Sequence, residues 1–222
     1  MMTRSVRRAL LRFAFHLLYH QLAFTYDAVA WLVSLGQWKM WGRTALNRVR
    51  GRRVLELGHG PGHLLIALAR LGCAPIGIDL SPDMIRIAQR RIRREQVDVP
   101  QVRCRVQALP FRSSTFDSVV VTFPTEYIVE PATVQEVQRV TNDRGRLVIV
   151  AGAQLTDRKP SARFVDWLYR ITGQSELVPD GHESVFQQMR LTPRIEYETI
   201  GASTVALVIA EKSRMQTNAD YR

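Results

Sequence analysis

The chain has 222 residues, 46% of them hydrophobic and 23% charged, with a formal net charge of +11. That length suits one domain with a real hydrophobic core, and the composition excludes a disordered or fibrous chain. The basic excess is lopsided: residues 1–53 hold ten Lys or Arg against one acid, Asp27, leaving the remainder almost neutral.

The N-terminal stretch MMTRSVRRALLRFAFHLLYHQLAF resembles a signal peptide in placing arginines before an apolar run. His16, His20 and Gln21 interrupt that run and no convincing small-residue cleavage site follows, so it reads as a retained helix. No run of about 18 uninterrupted apolar residues marks a membrane span. Helical patterning extends from about Ser5 to Val49, with breaks near Thr25–Tyr26 and Gly36. Arg4, Arg8 and Arg12 share one face, and Val6, Leu10, Phe13 and Leu17 share another. With Trp31, Trp38 and Trp41 nearby, this helical cap (residues 1–50) suits an anionic membrane surface, and equally a lid over a pocket. No recognised nucleic-acid-binding module accompanies the charge.

After Gly51 short apolar strands alternate with helices. RRVLEL (52–57) reads as a buried strand, followed by a glycine loop and a helix over 61–72. APIGIDL (74–80) is a second strand. Ser81 and Pro82 form an N-cap with proline at the first helical position, opening a helix to about Gln96. Strands over 101–107 and 116–123, a helix over 131–141 and a strand over 146–152 follow. Residues 153–192 are polar and broken, with an aromatic helical patch at 162–171. RIEYETIG (194–201) and STVALVIAEK (203–212) predict an antiparallel hairpin on the sheet edge, before a loose tail over 214–222. The expected fold is therefore α/β and Rossmann-like: seven strands, mostly parallel, helices on both faces, an antiparallel C-terminal hairpin and an N-terminal helical cap. It divides a single domain into the cap, a cofactor core (51–152), a substrate insert (153–192), the hairpin (193–213) and the tail. Cys73 and Cys104 form no CxxC and no disulfide framework, so reduced thiols in a cytoplasmic protein are expected.

The loop ELGHGPGHLL (56–65) carries the chemistry. A dinucleotide fingerprint would need glycine at position 63, where this chain has His63, and no GK[ST] of a phosphate-gripping loop follows. The observed pattern is Glu56, Gly58, Gly60, Gly62, with Asp79 ending the next strand, where its carboxylate can accept from ribose hydroxyls. The implied ligand is a nucleoside without a pyrophosphate. His59 and His63 stand four apart, but a proline at 61 belongs in a helix's first turn. His59 then precedes the helix, the pair does not share a face, and no metal is expected.

VLELGHGPG, GIDLSPDMIRIAQRR, QALPFRSSTFDSVVVTF and EVQRVTNDRGRLVIV, in that order, resemble the class I S-adenosylmethionine-dependent methyltransferases, in detail their ubiquinone/menaquinone C-methyltransferase-like branch. The resemblance covers about residues 50–152, and VALVIAEK and the lead-in TYDAVAWLVSLGQWKMW are similar too. It implies S-adenosylmethionine as cofactor. Gly58, Gly60 and Gly62 would admit its methionine part, with Glu56 bracing the loop and His59 behind it. Asp79 would bind the ribose, Leu80 pack on the adenine, and Val106–Gln107 lie beside the adenine edge. Two positions depart from the family. Arg105 stands where the family has an acid holding the adenine amino group, a bond that arginine cannot accept. Gln107 has a carbonyl that could substitute. TNDRGRL replaces a proline-glycine-glycine turn.

Methyl transfer from a sulfonium requires positioning and desolvation more than a compact catalytic signature. Substrate-facing candidates are Phe123, Thr125 and Tyr127 after the fourth strand, with Tyr26 and Trp167 or Tyr169 closing the pocket. Glu126 is the candidate for orienting or deprotonating the acceptor, against a plain capping or surface role. The acceptor implied is small and apolar or amphiphilic, a quinone-like ring or a lipid head group. A cofactor-binding subunit without catalysis, hinted at by Arg105, and a nucleic-acid methyltransferase are the alternatives.

Overall fold

The computed structural model describes residue 34, residues 36–156 and residues 191–212; the basic N-terminal helix, Tyr26, Trp167, Tyr169 and the side chain of Glu126 lie outside the described residues. Seven strands form one sheet in the order β3-β2-β1-β4-β5-β7-β6. They are β1 (Arg53–Leu57), β2 (Ala74–Asp79), β3 (Gln101–Arg103), β4 (Phe116–Thr122), β5 (Thr141–Leu155), β6 (Leu191–Ile200) and β7 (Ser203–Lys212). The first five run parallel. β7 is antiparallel to both β5 and β6, so the hairpin inserts its second strand into the sheet and leaves the first at the edge.

Alternation along the strands explains the layers. Val119 and Val121 face one core with Leu55, Leu57, Ile149 and Val208, covered by Val134, Val137 and Val140. Val120 points the opposite way, into a second core with Val54, Val148, Leu207 and Trp41. The covering helices are α1 (Trp38–Arg43), α2 (His63–Arg70), α3 (Pro82–Arg94) and α4 (Pro131–Val140). Leu65 and Ile66 of α2 meet Ala88 and Ile92 of α3 in a third, smaller cluster. Such burial, at about 25 cal/mol per Å² of apolar surface, is the main favourable term for the fold.

Four expected boundaries are corrected. β3 ends at Arg103 rather than 107, because residues 105–108 make a turn in which Ala108 N–H donates to the Arg105 carbonyl at 3.1 Å. β5 spans Thr141–Leu155 instead of 146–152; it pairs with β7 from Arg146 to Leu155, the register shifting between Val150 and Gly152. It therefore crosses the predicted border between core and insert. α2 begins at His63, two residues later than expected, because Gly62 caps it with φ +80°, a left-handed conformation no helix interior contains. Pro61 thus lies before the cap rather than in the first turn.

The strand order fixes the site. β1 leads to β2 and β3 on one side, while β4 and β5 extend the sheet on the other. The order in which strands are added reverses between β1 and β4, and the glycine loop after β1 opens at that switch point, where open α/β sheets bind their ligands.

Candidate cofactor and methyl-transfer site

The glycine loop is anchored from below. His59 N–H donates to the Ile78 carbonyl at 3.1 Å, and Gly62 N–H to the His59 carbonyl at 3.0 Å. Asp79 holds the apex: its Oδ2 accepts from Gly60 N–H at 2.8 Å and its Oδ1 from Ser81 N–H at 2.8 Å. Each carboxylate oxygen has a further lone pair, so Asp79 can still accept from a ligand's hydroxyls. Ser81, in turn, caps α3 by accepting from Met84 N–H at 3.3 Å, as its sequence position predicted.

Gly60 and Gly62 differ in why they must be glycine. Gly60 has φ +52°, and a Cβ built on it would meet nothing within 4 Å, so its backbone borders open space that a ligand can enter. At Gly62 a Cβ would stand 2.9 Å from the Cβ of Ala88, so here glycine serves the packing of α2 against α3. Arg91 of α3 clamps the same corner, its Nη1 donating to the Pro61 carbonyl at 2.5 Å. Five arginines in 85–95 are expected on a solvated face; four are exposed, and Arg91 is turned inward to the loop.

Below the loop lie three titratable groups with little water: Glu56 is 1% exposed, His59 4% and Asp79 9%. Burial pushes the Glu56 carboxyl well above the ordinary carboxylate range and the Asp79 charge pushes it further, against a stabilising Leu65 N–H at the start of α2. Glu56 Oε2 has no partner. Burial lowers the His59 imidazole, against the opposing pull of Asp79. Its Nδ1 lies 2.7 Å from the Gly60 carbonyl, which can only accept, so Nδ1 carries the proton. Nε2, buried and without a partner, is then the acceptor nitrogen of a neutral ring. His63 sits on the far side of Gly62 in α2, and the two histidines share no face.

The adenine-edge candidates divide. Leu80 is 53% exposed directly after Asp79, offering an apolar surface. Val106, half-buried, packs its side chain against the central core. Gln107 is fixed by a bond from its Nε2 to Glu130 Oε2 at 2.7 Å. Sequence reasoning missed Glu130, which precedes α4 and carried no motif.

On the other flank, Tyr127 reaches the loop: its hydroxyl stands 3.2 Å from where a Gly58 Cβ would be. Thr125 is exposed, and Tyr127 and Thr125 bracket Glu126 in a single 3-10 turn after β4. Phe123 has φ +50°, and its ring lies against Trp38 of α1 with centroids 4.2 Å apart. It packs with the second core rather than standing over the loop.

A nucleoside with a short polar chain fits this set: a carboxylate with spare lone pairs, an exposed apolar residue beside it, and a glycine-lined opening. Comparison with known proteins agrees. Residues 54–145 match a methyltransferase domain family. A demethylmenaquinone methyltransferase of Mycobacterium sp. (strain KMS) is 32% identical over 162 residues, 68% of each chain. The ubiquinone/menaquinone biosynthesis C-methyltransferase of Cupriavidus metallidurans is 26% identical over 222 residues, 87% of this chain and 90% of that one. A solved geranyl diphosphate C-methyltransferase from Streptomyces coelicolor A3(2), bound to S-adenosyl-L-homocysteine, shares the fold with TM-score 0.58 at 16% identity, over 78% of this chain and 80% of that one. The chain belongs to the class I S-adenosylmethionine-dependent methyltransferases, in their ubiquinone/menaquinone branch.

Proposed function

We propose that the chain methylates a ring carbon of a quinone-like acceptor, taken in its electron-rich hydroquinone form. The observation that carries this reading is the opening above Gly60, bordered by Asp79 on one flank and by the β4 turn with Tyr127 on the other. The names of the relatives, demethylmenaquinone methyltransferases, supply the acceptor class. When bound, S-adenosylmethionine supplies a methyl group activated on a sulfonium sulfur.

The chain's residues then have distinct tasks. Asp79 accepts from the ribose hydroxyls, Leu80 packs on the base, and the loop from Gly58 to Gly62 leaves room for the methionine part, braced from beneath by Glu56 and His59. Tyr127 and Thr125 border the acceptor's side of the opening. Carbon attack needs an ionised phenolic oxygen and leaves a ring proton to be lost; Glu126, at the β4 end, is the candidate group to orient that hydroxyl or take a proton. Phe123, packed on Trp38, ties α1 to the end of β4 beside this turn.

The basic N-terminal stretch, expected from its sequence to be helical, adds a reason for the acceptor to be membrane-held: its arginines suit the anionic surface of a bilayer, in which a quinone resides. Among the described residues no helix is long and apolar enough to cross a membrane.

The test supplies purified protein with methyl-labelled S-adenosylmethionine and demethylmenaquinone, chemically reduced, in detergent micelles. Label is expected in the quinone fraction as a gain of one methyl in place of one hydrogen. Binding of S-adenosylhomocysteine without label transfer to the hydroquinone would reject the acceptor and keep the cofactor.

A further inference from the structure

β6 is the last strand of the sheet, with β7 on one side and no strand on the other. Antiparallel partners alternate between residue pairs that exchange both backbone bonds and pairs that exchange neither. Gly201–Ala202 is a two-residue turn with Gly201 at φ +57°, so the pair flanking it, Ile200 and Ser203, is a bonded one. The Ala202 carbonyl accepts from Thr156 N–H at 2.8 Å, on the β5 side, which sets the same alternation. The even-numbered residues of β6 therefore bond to β7, and the odd-numbered ones turn their N–H and C=O groups to the open edge. Pro193, which has no N–H to give, stands at one of those odd positions. Among the described residues no backbone bond reaches the outer groups of Ile195, Tyr197 or Thr199.

The side chains divide the same strand into two faces. Glu196 and Glu198 lie on the face where Arg48 pairs with them, and Arg194 reaches Glu196 there at 3.0 Å. Ile195 and Tyr197 lie on the other face, opposite Val208 and Ala206 of β7. Those two partners are buried, whereas Ile195 is 48% exposed and Tyr197 62%. An exposed edge of this length is a template for pairing with another chain. β6 has no bulge against β7 to twist that edge away, and its one proline stands near its start.

We propose that β6 pairs antiparallel with β6 of a second copy of this chain, about a two-fold axis through Ile195, so that two sheets join into one. Charge sets the register. With Ile195 opposite its own counterpart, Arg194 stands opposite Glu196 of the second copy, and the same pair recurs across the axis. Ile195 N–H and C=O then exchange both bonds with their counterparts. Tyr197 lies opposite Pro193, its N–H donating to the proline carbonyl, so the missing proline N–H removes only one bond on each side. Centring the axis on Glu196 would set that carboxylate against itself, and centring it on Tyr197 would set Glu196 against Glu198. Both oppose like charges, which is destabilising. The strand that fits this edge presents an arginine and a glutamate two residues apart on one face, with an apolar residue between them on the other. β6 itself is such a strand.

Sedimentation velocity of the full chain over about 1–100 μM is expected to show a reversible monomer–dimer equilibrium, since a single strand pair is small for a specific interface. Ile195→Lys and Ile195→Glu should each weaken it about tenfold or more, because like charges then meet at the axis. Mixed in equal parts, the two variants should dimerise again, as opposite charges now face each other there. Tyr197→Pro tests the backbone separately. It removes an outward N–H and no bond to β7, so the circular dichroism of the unaltered chain should be kept while dimerisation weakens about tenfold. A chain that stays monomeric over the whole range overturns the proposal. So does a dimer that both Ile195 variants leave intact, which would place the interface elsewhere. Variants that dissociate alone and do not re-form a dimer when mixed overturn the axis at Ile195.

Discussion

Asp79 accepts the backbone N–H of Gly60 at 2.8 Å, so the end of β2 and the apex of the glycine loop are one unit. The same carboxylate takes the Ser81 N–H with its other oxygen. The group proposed to bind the ribose is therefore also the group that shapes the loop. Asp79→Ala should lower affinity for S-adenosylhomocysteine by about 10–100-fold, because bonds to a charged acceptor are worth about 1.5–3 kcal/mol. Calorimetry measures this directly, and affinity within about twofold of the unaltered chain would remove Asp79 from the site.

Gly60 and Gly62 separate binding from folding. Alanine at position 60 has room but must hold φ +52°, a strain of about 1 kcal/mol. Its methyl enters the opening, so cofactor binding should fall far more than stability. Alanine at 62 must hold φ +80° with its Cβ 2.9 Å from Ala88, where α3 would have to move. A stability loss of about 2–4 kcal/mol is expected there, from strain and overpacking together. Denaturant melts beside calorimetry resolve the two; equal stability losses at both positions would contradict the packing argument.

The layout of the fold was largely legible because it depends on patterns that sequence carries. Strand and helix alternation gave the parallel core, and Ser81–Pro82 gave the start of α3 with its cap. The glycine spacing and Asp79 were legible for the same reason: the loop's conformation is local, and its partner ends the very next strand. What escaped was tertiary. Glu130 meets Gln107 across 23 residues, and Arg91 turns to Pro61 across 30; no local preference distinguishes either from a solvated charge. Phe123, a substrate-facing candidate from its place after β4, has a left-handed backbone and lays its ring against Trp38; neither that φ nor that neighbour is written in TFPTEY. The late start of α2 has a local cause, Gly62 at φ +80°, that proline's preference for first turns obscured.

Burial of Glu56 and His59 predicts opposite pH slopes. The folded chain holds the Glu56 proton more tightly than the unfolded chain does. As pH rises above the ordinary carboxyl range the unfolded state loses that proton first, and stability declines until the folded group ionises as well. His59 is shifted down. As pH falls below the usual imidazole value of about 6.5, the unfolded state gains a proton that the folded state resists, and stability declines on the acid side. Denaturant stability of the ligand-free protein between about pH 5 and 8 should lose its alkaline-side decline in Glu56→Gln and its acid-side decline in His59→Asn. Profiles parallel to the unaltered chain in both variants would refute these assignments.

Phe123 sets backbone strain against ring packing. A non-glycine residue at φ +50° costs about 1 kcal/mol, and the ring's contact with Trp38 at 4.2 Å offsets it. Alanine keeps the strain and loses the ring, whereas glycine loses both. Phe123→Gly should therefore be more stable than Phe123→Ala by about 1 kcal/mol, although glycine is ordinarily the poorer substitution. The reverse order in chemical melts would show that the strain is absent in solution.

Arg48 joins the segment before β1 to the far edge of the sheet. Its Nε donates to Glu196 at 3.1 Å and its Nη1 pairs with Glu198, both on β6, while Nη1 also reaches the Thr44 carbonyl at 3.2 Å. The side chains are 18%, 31% and 26% exposed, between a surface pair and a buried one. Arg48→Met should then cost about 1–2 kcal/mol, between the limits for exposed and buried pairs. Burial raises the Glu196 carboxyl, but bonds from Arg48 and Arg194 more than reverse this and hold it below the usual range. A depressed carboxyl stabilises the fold above its unfolded pKa, and that contribution disappears as pH falls through the folded value. Arg48→Met should accordingly show a smaller loss of stability between about pH 5 and 3 than the unaltered chain, on a lower baseline. Equal acid-side slopes in the two proteins would mean that Arg194 alone sets the Glu196 proton affinity.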